Sequence, residues 1–273
     1  MLSAVDTILT VLFSLLLQTP LVWILALAAG PALALLAYVR KKDRLEPEPP
    51  KLIWSLFGLG ALSTLLAFLG EAAGIGVLQA LLNPRSLAFR LIHWFLVVGA
   101  VEEGAKYLVL RLRTRKEPAF NCTYDGVVYG AAVAAGFAVL ENILYLFRHG
   151  AGVLLPRALI SIPGHLCFGV MMGVWYGLAQ EAAVRGDEKR AGDCRFVSAA
   201  LPALLHGLFD ILASTEQGAL NIVFLVFVIA LVIVSWRQVK KTAGNDRFFI
   251  PPEAGETPPN PAIAERKETS AHE

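Results

Sequence analysis

Five ionisable side chains stand inside strongly apolar stretches of the sequence and could carry out hydrolysis. They are two adjacent glutamates, Glu102 and Glu103, two histidines, His165 and His206, and Asp210, which follows His206 by about one helical turn. A carboxylate in apolar surroundings binds its proton more tightly and can serve as a general base, while an imidazole can position water or stabilise an oxyanion. These residue types therefore indicate hydrolysis by an activated water molecule.

The same side chains could hold a metal ion. Glu102, Glu103, His165 and His206 are all plausible zinc ligands. No spacing among them demands a metal, however, and the cysteines form no CxxC pair and no even-numbered framework. The cofactor is therefore left open between a divalent metal such as zinc and none.

Other polar residues near this set are candidates for supporting roles. Lys106 follows Glu102 by four residues, so the two can form an ion pair on one helix face, and we expect this pair to leave Glu103 uncovered. Asp210 can fix the tautomer of His206. The remaining candidates, in the next apolar stretch, are Asp125, Glu141 and Asn142.

The elements that must position these residues are transmembrane helices. Of the 273 residues, 56% are hydrophobic and 17% charged, whereas soluble domains carry about 25% charged residues. The apolar residues gather in runs long enough to cross about 30 Å of hydrocarbon. We therefore predict an all-α, polytopic transmembrane helical bundle with about eight spans, or seven if the first run is interfacial. The predicted runs are 2–18, 21–39, 52–69, 91–111, 125–147, 157–180, 197–213 and 219–236.

The candidate residues fall at similar depths in these runs. Measured from the outer end of each run at about 1.5 Å per residue, Glu102 and Glu103 lie about 17 Å down, His165 about 12 Å and His206 about 10 Å. Three helices could thus bring carboxylates and imidazoles around one water molecule. We expect solvated positions for three ionisable residues at or beyond the outer ends of runs, namely Glu71, His93 and His149.

The distribution of lysine and arginine predicts the orientation in the membrane. Of the 24 basic residues, 19 lie in alternate connections and after the last run, while four lie in the other connections. The positive-inside rule places the first group in the cytoplasm, together with the C-terminus. We therefore predict a multi-pass protein of the plasma membrane. The net charge of +2 gives no indication of a nucleic-acid partner.

We divide the chain into three parts. Residues 1–20 form an N-terminal apolar segment, either a short span or a signal-anchor, and residues 21–237 form the transmembrane core. Residues 238–273 are predicted to be a disordered cytoplasmic tail, because the end of the chain is rich in Pro, Glu, Thr and Ala and has few large apolar residues. No internal repeat is evident.

Six short motifs together resemble the PrsW family of intramembrane proteases. They run in order from about residue 43 to residue 210: D-R-L-E-P-E-P (43–49), E-E-G-A-K (102–106), Y-D-G-V-V-Y-G (124–130), G-F-A-V-L-E-N (136–142), P-G-H (163–165) and H-G-L-F-D (206–210). The resemblance implies that the transmembrane core is a protease core, with Glu102, Glu103, His165, His206 and Asp210 as catalytic residues. It also gives supporting roles to Lys106, Asp125, Tyr129, Glu141 and Asn142.

The resemblance further implies a substrate. The family is similar to the CAAX-processing and bacteriocin-self-immunity membrane proteases, whose motifs are a Glu pair, a later His, and a His followed four residues on by Asn or Asp. Lys106 and Ser161 depart from the pattern of those relatives, so their substrate preference does not transfer. The expected activity is an endopeptidase that cuts a single-span membrane protein, of the anti-sigma-factor type, near the extracytoplasmic end of its span.

A transporter coupled to protons or cations is the alternative from another class, because buried carboxylates and histidines also form proton relays. The absence of an internal repeat and the Glu-Glu and His-xxx-Asp patterns count against it. No HExxH or GxSG motif occurs in any run, which disfavours a site-two metalloprotease or a rhomboid protease. No GxGD follows for a presenilin-type aspartyl protease. The expected partners are thus a protein substrate and the lipid bilayer.

Overall fold

The computed structural model describes residues 20–215 and 218–250, and this part of the chain is a bundle of helices without a named strand. The prediction of an all-α bundle is therefore confirmed. The first predicted run, 2–18, and the end of the predicted tail, 251–273, lie outside the described residues.

The helical elements follow one another with short connections. In order they are α1 (Pro20–Arg40), α2 (Pro50–Leu81), α3 (Leu87–Ile92), the π-helix π1 (His93–Ala100), α4 (Val101–Thr114), α5 (Asp125–His149), a 3-10 turn (Ala151–Val153), α6 (Leu154–Pro156), the π-helix π2 (Arg157–Ser161), α7 (Ile162–Val184), α8 (Glu188–Ala213) and α9 (Gly218–Gly244).

Six helical segments of the described chain are long and apolar enough to cross a membrane. They are Val22–Arg40, Pro50–Leu81, Asp125–His149, Ala151–Val184, Glu188–Ala213 and Gly218–Gly244. The run predicted at 91–111 is also helical, as the continuous unit α3–π1–α4, but its interior carries Glu102, Glu103 and Lys106. With that unit, the described residues contain the seven membrane-length segments expected after the first run.

Helix α2 is longer than the sequence analysis predicted. We expected its apolar run to end at residue 69, but the helix continues to Leu81 and has 32 residues. The reason is that the segment from Gly70 to Leu82 is still almost entirely apolar or small, with Glu71 and Gln79 as its polar members. At about 1.5 Å per residue the helix is about 48 Å long. Glu71 therefore lies within a helix and not beyond its end.

Helix α5 forms the centre of the bundle, and its residues from Asp125 to Ala138 are all buried. Small residues allow this close packing. A side chain at Gly136 would overlap the carbonyl oxygen of Phe57 in α2, and one at Gly130 would overlap the backbone of Gly169 in α7. Because this part of α5 is enclosed by its neighbours, the side chains of residues 125–138 are held in place.

Several connections meet at one end of the bundle, which we call the basic end. It comprises the α1–α2 connection (41–49), the α4–α5 connection (115–124) and residues 245–250. Asn121 Nδ2 donates to Glu46 Oε2 at 2.9 Å, and Tyr124 N donates to Asp246 Oδ1 at 2.8 Å. These contacts join all three segments.

The chain after residue 237 is more ordered than we predicted. Helix α9 continues to Gly244, and Phe249 is buried, with its ring 5.8 Å from that of Phe120. An isolated bridge pairs Cys122 with Phe248. Apolar contacts and backbone pairing hold residues 238–250 in place, so the expected disorder is wrong for them and remains a prediction for residues 251–273.

Candidate active site

Two π-helices lie directly before the residues expected to be catalytic. π1 (His93–Ala100) leads into α4, which carries Glu102 and Glu103 in its first turn, and π2 (Arg157–Ser161) leads into α7, which carries His165. The wider turns of π-helices are rare and often occur at functional sites. The third helix that carries site residues, α8, is a regular α-helix through His206 and Asp210.

Lys106 is the centre of a buried polar cluster. Its Nζ lies 2.6 Å from Glu103 Oε1, 3.4 Å from Glu102 Oε2 and 3.1 Å from His165 Nδ1. We expected the ion pair with Glu102 and an uncovered Glu103, and the second expectation is wrong, because residues three apart also share a helix face and the long lysine side chain reaches both carboxylates. The ammonium also lies 3.8 Å from the centre of the Phe137 ring.

His206 connects this cluster to Asp210. His206 Nδ1 lies 2.9 Å from Glu103 Oε1 and 3.8 Å from Glu102 Oε2, while its Nε2 lies 3.3 Å from Asp210 Oδ2. Both ring nitrogens thus face carboxylate oxygens. The imidazole planes of His206 and His165 are nearly perpendicular, with their centres 5.2 Å apart. All five residues predicted to be catalytic are therefore brought together by α4, α7 and α8.

Glu141 also belongs to this site. Its Oε2 lies 2.8 Å from His165 Nε2, and it forms an ion pair with Arg157. Asn142 contacts the site through Arg157, from which its Oδ1 accepts a hydrogen bond of 2.9 Å. Its Nδ2 donates to the carbonyl of Ala28 at 3.3 Å. Asn142 therefore positions Arg157 and connects α5 to α1.

A cavity of about 390 Å³ adjoins the cluster, and only one of the two adjacent glutamates lines it. Glu102 lines the cavity, together with His165 and His206. Glu103 and Lys106 do not line it, and they are 0% and 1% exposed. The cavity extends to residues at the end of α5 opposite the basic end, among them Arg148 and His149. Only Glu102 of the pair can therefore meet a molecule that enters from this side.

The sequence analysis missed three residues of this site. Glu71 and His93 were expected at solvated edges, but both are partly buried and line the cavity with Arg157. For Glu71 the expectation failed because the α2 run was ended twelve residues early. For His93 it failed because the helix begins at Leu87, four residues before the predicted run. The apolar sequence that continues after Glu71 could have indicated that this residue lies within a helix. The sequence around Arg157 does not distinguish it from a basic residue in a loop.

The structure does not bring Asp125 and Tyr129 to the cavity. They lie at the basic end of α5, where Asp125 is about 24 Å along the helix from Glu141. Tyr129 donates a hydrogen bond of 2.6 Å to Glu48 Oε2, and Asp125 Oδ2 accepts one of 2.6 Å from Cys122 N. These two residues belong to a second polar cluster.

The donors at the first cluster fit a zinc-like cation. One ligand atom from each of Glu102, Glu103, His165 and His206 lies within 4.8 Å of the others, and Glu103 Oε2 is buried without a hydrogen-bond partner. Nitrogen and carboxylate oxygen ligands are those that zinc takes in proteins. Lys106 contacts three of the four residues, so its ammonium competes for the same donors.

A bundle of membrane-length helices that encloses paired glutamates, two histidines and a cavity defines an integral membrane protein with a hydrolytic type of site. The chain belongs to the PrsW family, since residues 48–236 match the family described as PrsW family intramembrane metalloprotease. It is 32% identical to Protease PrsW of Geobacillus kaustophilus over 236 residues, which are 84% of this chain and 96% of the relative. It is 35% identical to Protease PrsW of Bacillus subtilis over 188 residues, which are 68% of this chain and 81% of the relative.

The chain is also 31% identical to a third relative, Protease PrsW of Clostridioides difficile, over 82% of this chain and 93% of the relative. No solved structure matches the chain. Together the family and these relatives confirm the resemblance and establish an intramembrane peptidase, in preference to the transporter alternative.

Proposed function

We propose that this peptidase cleaves a single-span membrane protein of the anti-sigma-factor type near the extracytoplasmic end of its span, with a water molecule activated by Glu102. The observation that carries this proposal is the position of Glu102, which lines the cavity together with His165 and His206. A general base must reach the water from which it takes a proton, and the cavity is where water and a substrate carbonyl can meet.

Different contacts favour different roles for the two glutamates. Glu103 Oε1 is engaged by both Lys106, at 2.6 Å, and His206, at 2.9 Å. Glu102 has longer contacts with the same two residues, 3.4 Å to Lys106 and 3.8 Å to His206. Glu103 therefore holds the lysine and the imidazole in place, and Glu102 keeps the freer carboxylate for proton transfer.

His206 is the histidine suited to stabilise negative charge on the substrate carbonyl oxygen, because its Nε2 has only a 3.3 Å contact with Asp210 to exchange. His165 positions the site, since Lys106 and Glu141 engage both of its ring nitrogens. Asp210 and Glu103 orient the His206 ring, and Glu141 orients the His165 ring. An imidazole held in this way reorganises little as charge develops, which is where preorganised donors lower a barrier most. A zinc-type ion held by Glu102, Glu103, His165 and His206 would supply polarisation of the carbonyl and of water.

The proposed cut site follows from the position of the cavity in the bundle. The cavity extends towards Arg148 and His149, away from the basic end. The connections on one side, with the chain after the last run, carry 19 basic residues, whereas the other connections carry four. This bias supports a cytoplasmic basic end and C-terminus, in a multi-pass protein of the plasma membrane. A substrate helix hides its carbonyls in internal hydrogen bonds, so it is cut more easily where it frays near an interface.

Purified full-length protein with a single-span anti-sigma-factor-like substrate tests the activity. Glu102→Gln should lower the cleavage rate by at least about 100-fold, because the general base is removed with little change in shape. Asp193→Asn, at an exposed carboxylate of α8, is the matched control and should cleave at the wild-type rate. A Glu102→Gln/Glu103→Gln double variant that cuts normally would refute the proposed chemistry.

Two further measurements separate the parts of the proposal. Mass spectrometry of the product termini should place the cut at or just outside the extracytoplasmic end of the substrate span. A cut at the cytoplasmic end would contradict the proposed orientation or depth. Activity that survives exhaustive chelation would exclude the metal and leave the Glu102 mechanism in place.

A further inference from the structure

A second buried cluster of carboxylates lies at the basic end, away from the peptidase site. Asp43 and Glu48 come from the α1–α2 connection, and Asp125 begins α5. One oxygen atom from each lies within 4.8 Å of the others. The three residues are 8%, 4% and 0% exposed, respectively. Three acidic groups thus share one small, shielded space.

Several oxygens in this space have no hydrogen-bond partner. Neither carboxylate oxygen of Asp43 accepts a hydrogen bond of normal geometry, and Asp125 Oδ1 has none either. The other oxygen of Asp125 is held by the backbone N–H groups of Asn121 at 3.0 Å and Cys122 at 2.6 Å. The neighbouring Asn121 Oδ1 is likewise buried and unpartnered. Buried acceptors normally have partners, so this group of unpartnered lone pairs indicates a binding site for a positive ligand.

The hydrogen-bond donors that reach this space are neutral groups. Tyr129 donates to Glu48 Oε2 at 2.6 Å, and the backbone N–H groups of Asn121 and Cys122 donate to Asp125 Oδ2. These donors bring no positive charge to the three carboxylates.

We propose that Asp43, Glu48 and Asp125 bind a hard divalent cation, Mg²⁺ or Ca²⁺. Such ions bind oxygen atoms at about 2.0–2.6 Å, so two ligand oxygens on one Ca²⁺ ion can be up to about 5 Å apart. The separation of the three carboxylates fits this limit. Because every donor is an oxygen, the set suits a hard cation, in contrast to the histidine-containing cluster at the cavity.

A cation at this position would fasten the basic end of the bundle. It would join the α1–α2 connection to the start of α5, close to where Asp246 accepts hydrogen bonds from Thr123 and Tyr124. The site is about 24 Å along α5 from Glu141. It is therefore independent of the peptidase chemistry proposed above, and either proposal can fail without the other.

Cation binding is tested on the purified full-length protein after treatment with EDTA. Tb³⁺, a luminescent substitute for Ca²⁺, should bind and be sensitised by the adjacent Tyr124 and Tyr129, and added Ca²⁺ or Mg²⁺ should displace it. Asp43→Asn should weaken the binding by at least about tenfold, as the loss of a ligand does. One control, Asp193→Asn at an exposed carboxylate of α8, should bind as the wild type does.

Thermal unfolding gives a second measurement. It can be interpreted even if Asp43→Asn and the wild type differ in stability. In EDTA, Asp43→Asn should melt above the wild type, because it relieves repulsion among buried carboxylates. In Mg²⁺ or Ca²⁺ the order should reverse, whereas NaCl of equal ionic strength should not reverse it. Equal Tb³⁺ binding by Asp43→Asn and wild type would overturn the proposal. The proposal would also be overturned if acid stabilised the wild type and neither cation did. That result would indicate that the carboxyl groups of the cluster share protons and do not bind a cation.

Discussion

Nζ of Lys106 lies 3.1 Å from Nδ1 of His165, on a helix 59 residues further along the chain. An ammonium can only donate, so Nδ1 is the acceptor and the ring proton is on Nε2, which then donates to Glu141 Oε2 at 2.8 Å. The lysine thus fixes the tautomer of the histidine and occupies the lone pair that a metal ion at Nδ1 would need.

Lys106→Met should therefore increase the affinity for zinc, by about tenfold or more, because the competing ammonium is removed. The metal-free variant should be less stable by about 3–5 kcal/mol, since Glu102 and Glu103 lose a buried partner. Zinc per chain after equilibrium dialysis, and thermal unfolding in EDTA, measure the two effects. Lys116→Met, at an exposed lysine, is the control. Equal zinc affinity in the variant and wild type would show that Lys106 does not compete for the donors.

Asp210 is expected to act through His206, which it contacts at 3.3 Å. Asp210→Asn should lower kcat/KM by about 10–100-fold, the usual effect of removing a group that orients an imidazole. The pH profile of kcat/KM should shift as well, because a neutral amide no longer stabilises a charged ring. Asp210→Glu should restore part of the rate. A variant with reduced activity and an unchanged pH profile would indicate a purely structural role.

Gly136 is expected to be intolerant of any side chain. A Cβ there would overlap the carbonyl oxygen of Phe57, so Gly136→Ala must displace backbone and should destabilise the protein by about 1–3 kcal/mol. Gly58→Ala, at a helical position with open space around it, should instead be neutral or stabilising by about 0.5–1 kcal/mol. Thermal unfolding of the two variants makes the comparison. Equal melting temperatures would contradict the close approach of α2 and α5.

The raised pKa values at the basic end predict how stability depends on pH in EDTA. The pKa of Asp43 rises from 3.8 to about 7 and that of Glu48 from 4.5 to about 8 on folding. The folded chain then holds more protons than the unfolded chain between about pH 4 and pH 8, so this contribution to stability falls as pH rises through that range and is constant above it.

The difference between wild type and the double variant Asp43→Asn/Glu48→Gln isolates this contribution from other titrating groups. The wild type should lose stability relative to the variant as pH rises from about 4 to about 8, and the melting temperatures of both proteins across this range measure it. A difference that is constant with pH would show that the two carboxyls are not perturbed by folding.

Hydropathy and helix rise were sufficient to predict much of this structure. Membrane-length apolar runs gave the order of the helices, and counting residues from their outer ends brought Glu102, His165 and His206 to a common depth. This worked because a helix that spans lipid has little freedom in position along the membrane normal.

Other features depend on contacts that a linear pattern does not encode. Glu102 lines the cavity and Glu103 does not, because of how α4 is rotated about its axis against α7 and α8. Hydropathy predicts the depth of a residue in the membrane but not this rotation. The cluster of Asp43 and Asp125 forms because two connections distant in sequence fold over the same end of the bundle. No periodicity in either connection signals that they meet.

The π-helices π1 and π2 have a consequence for how the geometry of the proposed active site is specified. An i→i+5 turn accommodates an additional residue, so the length of each π segment determines the azimuth at which the following helix presents its side chains. Without a wider turn to absorb it, one extra residue before Glu102 would turn this side chain by about 100° about the helix axis, and the carboxylate would point away from the cavity. The alignment of Glu102 and His165 is thus encoded partly in the spacing of residues that take no part in the chemistry.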